Sequence, residues 1–109
     1  MTFAEQLKKL PKISHLASIA LLDTQAQVVA EIENKSGQAG SVAVYNHLGQ
    51  IYGAITPDAA NKGLELYAEH TEDARLNPGK HPNIDRLLAI TAGTLGTLRI
   101  KHAFAIYPE

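Results

Sequence analysis

His70 and Asp73, three residues apart, and His81 and Asp85, four apart, are the side chains whose types and spacing can do chemistry. Two imidazoles and two carboxylates suit a borderline metal such as zinc, whose ordinary ligands include both groups. The same four groups can instead make a general base, a histidine oriented by an acid. All four lie in the segment EHTEDARLNPGKHPNIDR, from Glu69 to Arg86, half of whose residues are acidic, basic or histidine. Pro78-Gly79 folds its middle, so the two halves can face each other. Glu69 and Glu72 are spare carboxylates within a turn of His70.

A plainer reading stands beside this one. A histidine on an apolar helix face is usually a core residue satisfied by a carboxylate or a carbonyl. The spacing from His70 to His81 matches no metal motif, and no HExxH occurs. No nucleophile stands out either: there is no cysteine and no GxSxG elbow, and Ser14, Ser18, Ser36 and Ser41 sit in ordinary contexts. The expectation is a polar pocket around His70, Asp73, His81 and Asp85 that binds an unknown small ligand or protein partner. The alternative is a small metal-assisted or general acid–base hydrolase using the same groups. No cofactor is required; zinc is the metal the groups would suit.

Two features are candidates for holding an anion. Lys80 and Arg86 flank a helix start at Pro82-Asn83 and can neutralise a phosphate or carboxylate aimed at the helix dipole. Otherwise they belong to a solvated turn, Arg86 pairing with a nearby acid for at most ~1 kcal/mol. Ser36-Gly37-Gln38-Ala39-Gly40-Ser41 lies between a predicted strand and a predicted helix, where backbone amides can bind an anion. It lacks a P-loop lysine and the GxGxxG spacing, so an ordinary turn is the simpler reading.

The elements that must position these groups follow from local chemistry. Thr2-Phe3-Ala4-Glu5 has capping-box spacing and predicts a short helix over 3–9, stopped by Pro11. The apolar stretch 17–22, the turn 23–26 and the alternating stretch 28–33 predict a β-hairpin. Ser41, Val44, Tyr45, Leu48, Ile51, Tyr52 and Ile55 form a helical stripe, with Gly53 as its C-cap. Thr56-Pro57-Asp58 starts a helix expected to run to about Leu76. At ~100° per residue, His70 falls in the middle of that helix's apolar face and Asp73 at its edge. A further helix begins at Pro82 or Asn83 and ends near Gly93, and 98–106 alternates as a strand. Within that strand His102 shares a face with Leu98, Ile100, Phe104 and Ile106; it is expected to bond across the sheet, or else to reach the His70 region.

The expected fold is therefore α+β: a small, mostly antiparallel sheet of the hairpin plus the C-terminal strand, with about four helices packed on it. A doubly wound parallel sheet is excluded by the lack of βαβ repetition. At 109 residues, the chain is expected to be a single domain over 1–109. With 45% hydrophobic residues it can build a core without staples. Ten basic against eleven acidic residues give a net charge of −1 and no global field for nucleic acid or acidic lipid. No cysteine means no disulfide framework. No signal-peptide core and no membrane-length apolar run occur, so a cytoplasmic location is expected. The apolar chain end Ala103-Phe104-Ala105-Ile106-Tyr107, if it lies at a sheet edge, invites pairing with a second copy, a possible homodimer.

The run AEHTEDARLNPGKHPNIDRLL (68–88), with GLELYAEH leading into it, and the opening TFAEQLKKLP with the turn and helix over 36–45, carry a resemblance. Together they resemble a small bacterial protein family catalogued as a domain of unknown function, family 2322. The resemblance covers nearly the whole chain. It implies a small stand-alone bacterial protein, and it carries over no activity, ligand or catalytic residue.

Overall fold

The computed structural model describes residues 1–106; Tyr107, at the tip of the apolar chain end, lies outside them. Helix α1 (Phe3–Leu7) forms because Thr2 Oγ1 accepts from Glu5 N–H while the Glu5 carboxylate takes Thr2 N–H, a completed capping box. It closes two residues before the expected Lys9.

Strands β1 (Leu16–Leu22) and β2 (Val28–Glu33) pair as the expected antiparallel hairpin. The turn is fastened by the Asp23 carboxylate, which accepts from Gln25 and Gln27 N–H. Strand β3 (Arg99–Phe104) pairs antiparallel with the other side of β1, giving the order β2-β1-β3. β3 is thus an edge strand, the position that pairing with a second copy would need.

Helix α2 (Ala39–Tyr52) ends at Gly53, whose φ of 78° is the left-handed cap expected there. Ile55 lies beyond the helix and exchanges backbone hydrogen bonds with Leu98, so only the earlier part of the predicted stripe is helical. Helix α3 (Pro57–Tyr67) starts where Thr56 Oγ1 accepts from Ala59 N–H.

The expected single helix over 57–76 is broken. Ala68 takes φ 53°, and a separate helix α4 (Glu69–Leu76) follows, making five helices among the described residues with α5 (Pro82–Ala92). Two side chains hold the break in place. Thr71 Oγ1 donates to the carbonyl of Leu64 at 2.6 Å, satisfying an acceptor in the core, and Glu69 takes the N–H of Phe3 at 2.7 Å. The break also shifts the helical phase. Thr71 and Ala74 face the core, whereas His70 and Asp73 lie only partly buried at the surface. The wheel that put His70 in the middle of a continuous apolar face assumed an unbroken helix, and it is corrected accordingly.

Leu16, Ile19, Leu21, Val42, Tyr45, Leu48, Leu87 and Leu98 belong to one buried cluster between the sheet and the helices. Gly63 lets α3 approach its neighbours closely: a Cβ there would lie 2.7 Å from Leu87 Cδ1 and 2.9 Å from Leu48 Cδ1. The His102 ring, among the described residues, bonds neither across the sheet nor to His70. Its Nε2 meets Oδ1 of buried Asn46 on α2 at 2.9 Å, while the ring contacts of His70 are with Phe3 and His81. Among the described residues no helix is long and apolar enough to cross a membrane.

Candidate functional site

A cavity of about 660 Å³ opens where the starts of α2 and α5 meet α1 and the α3–α4 break. Its lining takes Gly37 to Ser41 from the start of α2, Lys80 to Ile84 with Arg86 from the start of α5, Phe3 and Leu7 from α1, Tyr67 and His70 from either side of the break, and the carboxylate-bearing Glu31 from β2. The two anion candidates of the sequence, the Ser36–Ser41 turn and the Lys80–Arg86 segment, therefore border the same space. Neither helix start is capped by a side chain, at Gln38 or at His81. Their helix dipoles thus add partial positive charge to this rim, although Pro82 has no N–H and the amides of Ala39 and Ile84 already donate to the carbonyls of Lys35 and His81.

Arg86 is partly buried, and its surroundings are unusual for a guanidinium. Nη1 donates to the Tyr45 hydroxyl at 3.2 Å and to Asn83 Oδ1 at 2.9 Å, and Cζ lies 5.7 Å from the Tyr45 ring centroid. Among the described residues it has no carboxylate partner. The plain reading of Arg86 paired to an acid does not hold among the described residues; its hydrogen-bond partners there are the neutral Tyr45 and Asn83, although Glu31 also lines the cavity. Beneath it Tyr45 donates to the Asn83 carbonyl at 2.5 Å, and Tyr67 donates to Ser41 Oγ at 2.6 Å. Burial pushes the Tyr45 phenol up to about 12 and raises that of Tyr67 as well, so both stay neutral donors.

The Pro78-Gly79 turn does close the two halves of the charged segment. Asp73 Oδ2 meets Lys80 Nζ at 2.9 Å and His81 Nε2 at 2.6 Å, and Asp73 Oδ1 takes Asn77 Nδ2–H at 3.0 Å. An ionised carboxylate only accepts, so His81 donates through Nε2 and keeps Nδ1 for another partner. His70 joins through ring contact, its centroid 5.8 Å from that of His81. Asp85 does not join: Oδ2 accepts from Gly79 N–H at 2.9 Å and clasps the turn. Among the described residues no three His, Asp or Glu side chains gather in a way that could hold a metal ion.

Lys80 first, and His81 second, hold the Asp73 carboxyl down at about 2. A depressed folded-state value means stability that is present above the unfolded value of ~4 and is lost as pH falls through the folded one. The stability of the wild-type protein should therefore fall between about pH 4 and pH 2, and Asp73→Asn should flatten that limb. Urea unfolding at stepped pH measures it; identical acid limbs would count against the pairing.

Sequence reasoning did not single out Phe3, Tyr45, Tyr67 or Asn83 as site residues. By sequence Tyr45 is one member of the helical stripe and Tyr67 one residue of the run GLELYAEH. Their usable signal was chemical: a tyrosine on a buried face brings a hydroxyl that needs a partner.

A family model matches the chain over residues 3–103, that of DUF2322, described as an uncharacterized protein conserved in bacteria. No curated protein and no solved structure matches it.

Proposed function

We propose that this chain, which belongs to the DUF2322 family of bacterial proteins, is a binding domain for a small anion such as a phosphate or carboxylate. The observation that carries the reading is Arg86, a partly buried cation with no acidic partner among the described residues, bordering a cavity. Desolvating a charge without a counter-charge costs stability, and an anionic ligand would offset that cost. Lys80 is shared with Asp73 and adds a second, adjustable cation at the rim. Lys80, His81, Arg86 and His70 bind or border the ligand in this reading, while Asp73 orients His81 and Asp85 holds the turn.

The alternative is a general acid–base hydrolase in the same cavity, supported by the 2.6 Å contact of Asp73 with His81. That contact fixes the imbalance between the two ring nitrogens that a general base needs. Ser41 is the hydroxyl nearest in kind to a nucleophile there, and it already accepts from Tyr67.

One titration tests both readings. With ionic strength held constant by chloride, inorganic phosphate at ~10 mM should raise Tm by several degrees if Kd is about 1 mM. An unchanged Tm would remove the anion reading. Para-nitrophenyl phosphate added in the same way reads the alternative: release of nitrophenolate that is lost in His81→Gln supports a hydrolase, and no release removes it.

A further inference from the structure

Four rings run in an unbroken row along the cavity. Tyr67 stacks on Phe3 with centroids 5.1 Å apart, Phe3 meets His70 edge-on at 5.3 Å, and His70 lies 5.8 Å from His81. All four are among the residues that line the cavity, as is Arg86. Gly40 joins the row to the start of α2: a Cβ at that position would stand 3.2 Å from two atoms of the Phe3 ring. The glycine thus lets the aromatic wall lie directly against one of the two uncapped helix starts.

A cavity of about 660 Å³ is also far larger than a lone inorganic anion requires. It falls within the ~300–1,000 Å³ of ordinary small-molecule sites. Ring surface beside a cationic rim is matched by a ligand with a flat unsaturated part and an anionic end. Stacking suits the first part, because any heteroaromatic ring presents a π-face. The Arg86 guanidinium, without a carboxylate partner among the described residues, and the two helix dipoles suit the second.

We infer that the ligand is a small phosphorylated molecule of mononucleotide size, its phosphate at Arg86 and the two helix starts and its heteroaromatic ring on the Phe3–His70 row. This rests on the anion reading above and adds the second half of the ligand.

The test compares four probes by calorimetry on the full chain: AMP, ribose 5-phosphate, adenosine and inorganic phosphate. AMP should bind at least ~5-fold tighter than ribose 5-phosphate, the lower end of what one stacked base contributes. Adenosine should bind more weakly than AMP. In Phe3→Leu, and separately in His70→Ala in case the first disturbs α1, the ratio of AMP to ribose 5-phosphate affinity should fall toward one. If phosphate and ribose 5-phosphate bind but AMP gains nothing over them, the aromatic half is overturned and the anion reading survives. If adenosine binds as tightly as AMP, or no phosphorylated probe binds, the anion reading fails and this inference falls with it.

Discussion

Arg86→Gln is expected to weaken phosphate binding by roughly 10- to 150-fold, the loss of one charge-assisted interaction of ~1.5–3 kcal/mol. Glutamine keeps part of the reach toward Asn83 but removes the one cavity cation without an acidic partner among the described residues. Arg86→Lys should fall between the two, since it restores the charge but not the planar fork. Folding should be little affected. The substitution gives up hydrogen bonds to Tyr45 and Asn83, worth ~1 kcal/mol each, but relieves a partly buried charge. The two effects oppose each other, so stability should stay within about 1 kcal/mol of wild type. Calorimetric titration with phosphate gives the first number and urea unfolding the second. Wild-type phosphate affinity in Arg86→Gln would show that Arg86 is not the anchor.

Leu87→Ala is the substitution expected to cost the fold most, about 2–5 kcal/mol, against a total of ~5–15 kcal/mol for a natural domain. Leu87 is fully buried in α5, where it meets α3 at the bare face of Gly63. Gly63→Ala should also destabilise, because its new methyl would overlap Leu87 and Leu48. Combined with Leu87→Ala, that methyl gains space on one side, and the double variant should be less destabilised than the sum of the singles. Additive losses by urea unfolding would mean that α3 and α5 do not meet through this pair. The site depends on this contact too: the N-terminal end of α5 carries His81, Asn83 and Arg86, so loosening its seat on α3 should also loosen the cavity rim.

The charged segment shows how far pattern reading reaches. Its turn chemistry was legible, and Pro78-Gly79 does fold His81 and Lys80 back onto Asp73. The role of Asp85 was not, because i, i+4 spacing puts two residues on one side of a helix without saying which donor each will find. Asp85 found the amide of Gly79, and His81 found a carboxylate on another helix. The break at Ala68 left no mark at all, since alanine is the best of helix formers and nothing nearby is a breaker.

The sequence by itself determined the parts of this protein that depend on neighbours along the chain. These are the capping box at Thr2, the hairpin turn at Asp23, the glycine cap at Gly53 and the Thr56-Pro57 helix start. Each is set by steric limits and hydrogen bonds within a few residues, so residue type and spacing suffice. Tertiary structure alone decided the break at Ala68, the partner of His102 and the setting of Arg86. Those rest on contacts between residues 66, 56 and 41 positions apart: Glu69 with Phe3, His102 with Asn46, and Arg86 with Tyr45. The physical reason is that each polar group bonds to whatever the packed fold brings beside it, and packing, unlike periodicity, is not written in local spacing.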